Sequence, residues 1–314
     1  MRPARRRLVA LGLASGLGLL AGCTTFGEIA WRNARVVFRE PDAVPDRIVR
    51  PARADARLAA LWVGHSTVLL QMDDRFVLTD PVFTRYVGGV SPRLVEPGIA
   101  AADLPRLDAV LVSHRHFDHL STGSLASIAD RVGALLVPPG AAADIPREVG
   151  NVRELATWEG WEQDGLRVTA VPAHHSGGRF GADAGSHPRA FAGFVVQYHG
   201  MTVYFAGDTA DDPPMFREIA RRFGAIDLAL MPIGPIEPVA DMRPEHLDPA
   251  EALAESAVLR AREMLPIHFA TFIDSCDDAG SVEAAFDRAL ADMPPAGVHA
   301  RRWRIGEQRV LIAR

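Results

Sequence analysis

Four side chains of the kind that bind metal ions lie within six consecutive residues, His114, His116, Asp118 and His119, directly after the apolar run Ala109–Val112. Imidazole nitrogens and carboxylate oxygens are ligands of zinc and similar divalent ions. Four such groups cannot easily form a buried structural cluster, because each would need a partner of its own. We therefore expect a metal-binding loop at a strand end; the alternative is a solvated, histidine-rich loop.

Three later segments offer further ligands, each at the end of a predicted strand. Taken alone, they have ordinary explanations: a Gly-Asp-Thr sequence is usually a turn, and a single histidine is usually a satisfied core residue. Their recurrence after the first motif favours a metal site instead. These segments contain His174 and His175 after Leu166–Val171, Asp208 after Thr202–Phe205, and His268 after Met264–Ile267.

This order of motifs resembles the metallo-β-lactamase superfamily, from roughly Leu58 to the C-terminus. The resemblance implies an α/β fold, the αββα four-layer sandwich, with the ligands on loops at one edge. It also implies two divalent metal ions, with zinc expected and manganese or iron open. One ion would take His114, His116 and His175, the other Asp118, His119 and His268, and Asp208 would bridge them.

Shorter motifs resemble the branch that includes N-acyl-phosphatidylethanolamine phospholipase D and ascorbate-6-phosphate lactonase. Its PAxHxxGR pattern selects His175 as the ligand and leaves His174 as a neighbour. Its WxGHAT and MxPxHMxP patterns contain His65 and His246, which either contact substrate or brace loops. The shared segment around Asp80 implies a carboxylate that orients a metal-bound histidine.

Gly207, which precedes the expected bridging residue Asp208, offers no side chain that would obstruct the ions. Aspartate rather than cysteine in the bridging position makes β-lactam hydrolysis an unpromising activity. The sequence also resembles those of bacterial envelope proteins of the RomA type, but this resemblance does not indicate a particular reaction.

The resemblance implies hydrolysis by a bridging hydroxide, which Asp118 would orient toward phosphorus or an acyl carbon. We expect a phosphodiesterase of phospholipase D type that acts on a small-molecule or lipid substrate. The alternatives are a lactonase or amidase of the same fold, and a lipid-anchored metal-binding or regulatory protein without catalysis. A formal net charge of −5 gives no broad basic surface, so a nucleic acid partner is not expected.

The N-terminus resembles a lipoprotein signal peptide. Four arginines precede or adjoin the apolar run 8–20, which is short for a membrane span. Residues 1–22 would be removed and Cys23 acylated, which predicts a lipid-anchored protein of the bacterial envelope. Thr24 favours the outer membrane, facing the periplasm, while the export route stays open. Residues 23–57 are predicted to form a tether or N-terminal arm, and residues 58–314 the catalytic domain.

Apolar periodicity predicts a further set of elements that surround these motifs. The apolar run Leu61–Leu70 is predicted as one strand, and Phe191–Phe205 as a hairpin that turns at His199-Gly200. Helices are predicted from Asp248 to about Arg260 and from Asp212 to just before Gly224, with weaker helices after Ser121 and Gly280.

Overall fold

The computed structural model describes residues 25–179, 183–186 and 188–314. The predicted signal peptide and Cys23 lie outside these residues. The helices are α1 (residues 25–36), α2 (Thr122–Ser127), α3 (Pro213–Phe223), α4 (Val239–Met242), α5 (Pro249–Val258) and α6 (Ser281–Asp292). The strands are β1 (Ala56–Gly64), β2 (Thr67–Met72), β3 (Arg75–Thr79), β4 (Tyr86–Val87), β5 (Ser91–Pro92), β6 (Leu107–Leu111), β7 (Val132–Val137), β8 (Val152–Glu154), β9 (Gly160–Gln163), β10 (Leu166–Val171), β11 (Gly193–Tyr198), β12 (Met201–Phe205), β13 (Ile226–Pro232), β14 (Ala261–Ile267), β15 (His299–Ala300) and β16 (Gln308–Ala313).

Two seven-stranded sheets carry the fold among these described residues. The first has the order β16-β1-β2-β3-β6-β7-β8 and the second the order β15-β14-β13-β12-β11-β10-β9. In each sheet antiparallel hairpins give way to parallel pairs, such as β3 with β6 and β12 with β13. Parallel neighbours place their carboxyl ends, and the loops that follow them, at the same edge of the sheet.

The side-chain alternation of β1 shows how the layers are built. Leu58, Ala60 and Trp62 join the core between the sheets, whereas Leu61 and Val63 face a second core against α2. Both faces of the strand are therefore buried, as its nearly continuous apolar sequence requires. On the far side of the second sheet, α3, α5 and α6 complete the core. The predicted αββα sandwich is thus confirmed.

The clearest local signals give the predicted elements. In α5, Asp248 accepts from the backbone N–H of Glu251 while the Glu251 side chain accepts from the N–H of Asp248, which is a complete capping box. The pair β11 and β12 is the predicted hairpin, and its turn residues His199 and Gly200 have φ of 47° and 81°.

The prediction of a single strand over Leu61–Leu70 is wrong. The run is divided between β1 and β2 by a turn at His65 and Ser66, where His65 has a φ of 52°. The apolar sequence gives no sign of this turn, because the turn is buried. It is held by Thr271, whose Oγ1 accepts from the backbone N–H of His65 at 2.7 Å. The contact that fixes the turn is distant in sequence.

Residues 25–57 pack on the body of the protein. Asn33 on α1 donates its amide to the carbonyl of Ile273 at 2.9 Å, and Arg32 donates to the carbonyl of Asp277 at 2.8 Å. Further along, Asp42 and Ile48 form isolated β-bridges with residues that follow β5. Over its described residues this segment is therefore a docked arm. Among residues 25–179, 183–186 and 188–314, no helix is long and apolar enough to cross a bilayer.

Candidate metal centre

The predicted ligands gather at one edge of the sandwich because each follows a strand that ends there. The loop 113–119 follows β6, His175 follows β10, Asp208 follows β12 and His268 follows β14. His268 has a φ of 62°, and Asp80, beside the same edge, has a φ of 30°. Left-handed backbone at non-glycine residues carries strain, which is typical of functional sites.

Three histidines form the first donor group. His116 Nδ1 lies 2.9 Å from His114 Nε2 and 3.2 Å from His175 Nε2. Nitrogens that share a tetrahedral zinc ion lie roughly 3.3 Å apart, given Zn–N bonds of about 2.0–2.1 Å. The group therefore has the spacing of a three-nitrogen metal site.

A carboxylate and two histidines form the second donor group. His119 Nε2 and His268 Nε2 lie 3.1 Å apart, and Asp118 Oδ2 is 3.4 Å and 3.5 Å from them, respectively. His65 also lies within this cluster of potential ligand atoms.

Asp208 lies between the two groups. Its Oδ2 is 3.2 Å from His119 Nε2 and 3.0 Å from His268 Nε2 on one side. On the other side it is 3.8 Å from His114 Nε2 and 3.9 Å from His175 Nε2. All seven predicted ligands therefore converge, with one carboxylate in contact with both groups.

The outer nitrogens of three histidines are engaged by neighbours, which directs their Nε2 atoms into the site. The Nδ1 of His119 lies 2.5 Å from Asp80 Oδ2, that of His114 lies 2.9 Å from Ser113 Oγ, and that of His175 lies 3.0 Å from the carbonyl of Glu245. Hydrogen bonds of this kind fix the tautomer and the ring orientation of a metal ligand. Asp80 thus occupies the orienting position predicted for it.

Burial and charge divide the histidines into two classes. Burial lowers the pKa of His116 and of His175 to about 4, so both rings are neutral and offer lone pairs. Burial also acts to lower the pKa of His268, but the carboxylates of Asp208 and Asp118 outweigh it and raise this pKa to about 10. The two acids therefore attract positive charge into the second group.

The residues fit divalent cations. Asp208 Oδ1 is buried and makes no hydrogen bond within the described part of the chain, which is costly for a carboxylate oxygen unless a cation meets it. Burial acts to raise the pKa of Asp208, yet attraction to His119 and His268 holds it well below its usual range. Protons on His119 and His268 offset the negative charge of the carboxylates, and divalent ions would offset the same charge on binding.

The remaining predicted residues separate into exposed and buried positions. The His174 side chain is 58% exposed and lies outside both donor groups, near Asp212. His65 is buried, and its Nε2 lies 2.9 Å from Asp118 Oδ2. His246 Nδ1 is 3.8 Å from Asp208 Oδ2, and the side chain is 12% exposed. His246 therefore adjoins both the donors and the opening of the site.

Gly207 is constrained by a neighbour in the protein. It has a φ of 62°, and a Cβ at this position would come within 2.5 Å of the Ser113 Cβ. The close approach of Ser113 therefore excludes a side chain at this position, in addition to the room that the ions were expected to need. Ser113 connects this turn to the site, since its Oγ contacts both His114 and Asp80.

Sequence reasoning missed two arginines that brace the first metal loop. Arg179 donates to the carbonyls of Arg115 and Leu120 at 2.7 Å and 3.0 Å, and Arg115 forms a 2.6 Å ion pair with Asp144. The available signal for Arg179 was the arginine of the PAxHxxGR pattern. Ser113 was missed as well, although it adjoins the motif.

Comparison with known proteins places this site in a family. The model described as "Beta-lactamase superfamily domain" matches residues 75–269. N-acyl-phosphatidylethanolamine-hydrolyzing phospholipase D 1 of Caenorhabditis elegans is 33% identical over 237 residues, which cover 70% of this chain and 65% of that protein. The chain therefore spans slightly less than two thirds of this relative. A UPF0173 metal-dependent hydrolase of Anaeromyxobacter sp. (strain K) is 34% identical over 236 residues, with 71% and 78% covered.

A solved structure shows the same architecture. The isothiocyanate hydrolase from Delia radicum gut bacteria superposes with a TM-score of 0.62 at 20% sequence identity, over 81% of this chain and 99% of that one. At this identity the likeness concerns the fold alone. The family match, the sequence relatives and the two converging donor groups agree with one another. The chain therefore belongs to the metallo-β-lactamase superfamily and has its αββα fold.

Proposed function

We propose that this protein is a metal-dependent hydrolase, a dinuclear phosphodiesterase of phospholipase D type. The observation that carries the proposal is the position of Asp208 Oδ2, which lies between 3.0 and 3.9 Å from donors of both groups. A carboxylate so placed suits two adjacent cations rather than one. The sequence relative named as a phospholipase D favours a phosphodiester substrate. Imidazole and carboxylate ligands suit zinc, which is the expected ion, with manganese or iron as alternatives.

When bound, two divalent ions lower the pKa of a shared water and stabilise charge on substrate oxygens. The protein side chains supply orientation. Asp118, held by His65 at 2.9 Å, would orient the attacking water through its carboxylate. Burial lowers the pKa of His65 to about 3, so a neutral ring makes this contact. His65 therefore acts as a positioning residue.

His246 is the side chain best placed to contact substrate. Burial lowers its pKa well below the usual range, so the ring is neutral and can donate one hydrogen bond without delivering a net charge. Its ring centroid lies 5.1 Å from that of His175 and 5.5 Å from that of His268. We assign to it a hydrogen bond to a phosphoryl oxygen. In the reaction one P–O bond would form to the water oxygen and the P–O bond to the leaving group would break. The water would give up a proton, and the leaving alkoxide would take up one proton in its place.

The deciding experiment combines metal analysis with a substrate panel. The purified full chain, loaded with zinc, should contain two ions and hydrolyse bis(p-nitrophenyl) phosphate and a phospholipid. Hydrolysis of a lactone or an amide with no phosphodiester turnover would replace this proposal with the alternative activity. Binding of metal with no turnover of any substrate would favour a metal-binding or regulatory protein.

We also propose that the enzyme acts at the bacterial envelope, anchored to the outer membrane through an acylated Cys23 and facing the periplasm. Support comes from the sequence alone: the arginines, the apolar run 8–20 and the small residues before Cys23. Replacing Cys23 with Ser should leave an uncleaved or unanchored precursor that carries no lipid, while the metal domain still folds. Native protein in the cytosolic fraction would contradict this location.

A further inference from the structure

An apolar groove of about 560 Å³ opens beside the metal centre. One wall is helix α1, the other is the segment 87–91 around strands β4 and β5, and the floor includes Phe117 and Phe272. A volume of this size is typical of small-molecule sites. Asp118 also lines the groove, and its side chain is 19% exposed. The inner end of the groove therefore reaches a residue of the second donor group.

Helix α1 presents an apolar stripe to this groove. Phe26, Ile29 and Ala34 line it, at the spacing that places residues on one face of a helix. Asn33 holds the wall in place, because its amide donates to the carbonyl of Ile273 and its oxygen accepts from Ser91 Oγ at 2.9 Å. The helix lies outside residues 75–269, which match the family model.

Two large apolar side chains remain exposed at the groove. Phe26 on the helical wall is 75% exposed, and Val90 on the opposite wall is 69% exposed. Facing apolar side chains on a concave surface are favourable when an apolar ligand covers them. Because the groove reaches Asp118, its position favours a ligand that belongs to the molecule reacting at the metal centre.

We propose that this groove binds the hydrocarbon chain of the substrate, so that the enzyme acts on esters with a long alkyl or acyl group in preference to small polar esters. This inference rests on the proposed function and names its substrate class. The hydrocarbon chain of the substrate would lie between α1 and the segment 87–91, with the reacting group beside Asp118. The N-terminal arm thereby becomes part of the substrate site.

Binding of two phosphate monoesters tests the groove without turnover. Octyl phosphate and methyl phosphate share a head group, and calorimetry on the zinc-loaded full chain should give about 100-fold tighter binding of the octyl ester, since each buried methylene contributes to affinity. Phe26→Ala should reduce this ratio about tenfold, and Ala34→Trp should abolish it by filling the groove. Methyl phosphate affinity should stay constant in both variants.

Matched controls lie on the same helix away from the groove. Trp31→Ala removes an aromatic side chain that is 54% exposed, and Gly27→Trp adds a large side chain where a Cβ would meet nothing within 4 Å. Neither control should change the octyl-to-methyl ratio. Equal binding of the two esters by the wild type, or equal losses in Ala34→Trp and Gly27→Trp, would overturn the proposal. The same holds if the groove variants weaken only binding to phospholipid vesicles, because that result identifies a membrane contact.

Turnover separates this inference from the proposed function. p-Nitrophenyl octyl phosphate should show a higher kcat/KM than p-nitrophenyl methyl phosphate, and Ala34→Trp should remove the difference while the methyl ester is hydrolysed as before. Chain-dependent binding without hydrolysis of either diester would support the groove and refute the phosphodiesterase. Equal kcat/KM values for both diesters in the wild type would refute the groove and leave the phosphodiesterase in place.

Discussion

Asp80 and His119 are joined inside the site by a buried contact of 2.5 Å between Oδ2 and Nδ1. Asp80 Oδ1 meanwhile accepts from the backbone N–H of Ser113 at 2.7 Å. One carboxylate thus fixes both the start of the metal loop and the ring that completes it. The contact also leaves His119 Nε2 directed at Asp208. The geometry of the second donor group therefore depends on a residue that is not itself a predicted ligand.

Replacing Asp80 with Asn should weaken metal binding about 10–100-fold, the range typical of residues that orient a metal ligand. The amide retains the shape but loses the charge that favours the Nδ1–H tautomer of His119. Titration of the metal-free variant with zinc against a competing chelator measures the change. Asp164→Asn, on an exposed turn, is the control and should bind zinc like the wild type. Unchanged affinity in Asp80→Asn would remove its orienting role.

The adjacent histidines at 174 and 175 provide an internal comparison. His175→Ala should weaken metal binding at the first donor group by more than about 100-fold and so lower its metal content, because it removes a direct donor. His174→Ala should leave metal content near that of the wild type, since this side chain is 58% exposed and lies outside the donors. Inductively coupled plasma mass spectrometry on both variants checks the difference. Equal metal loss would show that the ligand assignment between them is incorrect.

The site was more predictable than its surroundings because metal ligands are specific residue types that follow recognisable strands. His114, His175, Asp208 and His268 each lie within four residues of the end of an apolar strand, and parallel strands bring such ends to the same edge. The contacts around them were less accessible to sequence reasoning. The carbonyl of Glu245, which orients His175, belongs to a loop 70 residues away and leaves no side-chain signature.

Helix α1 shows the opposite case, an element that sequence periodicity did not reveal. Its polar residues Arg32 and Asn33 obscure the apolar stripe. They are nevertheless the anchors, since they bond to backbone carbonyls about 240 residues further along the chain. Local propensity carries no information about partners at that separation. Tertiary contacts therefore decide whether residues 25–57 form a free segment or a docked arm.

Glu255 on α5 should make stability depend on pH. Burial, followed by the nearby Asp211, raises its pKa from 4.5 to about 7. The folded state thus holds a proton that the unfolded chain releases near pH 4.5, so this group lowers the stability as pH rises from 4.5 to 7. Glu255→Gln should lack this loss and exceed the wild type by on the order of 1–2 kcal/mol at pH 8.

Urea unfolding between pH 5 and 8 measures the effect as the difference between variant and wild type at each pH. Glu148→Gln changes an exposed carboxylate and should show a constant difference across this range. A Glu255→Gln difference that does not grow with pH would show that Glu255 is ionised throughout in the folded protein.

Asp208→Asn tests the proposed dinuclear centre, because Asn keeps the shape of the proposed bridge and removes its charge. Asp208 contacts donors of both groups, so the variant should retain closer to one ion than two and lose phosphodiesterase activity by orders of magnitude at pH 7. The pH–rate profile should move to higher pH, since one cation activates water less than two. Circular dichroism should remain native. Two ions per chain with an unmoved pH–rate profile would show that Asp208 is not the bridge, and the dinuclear proposal would then fail.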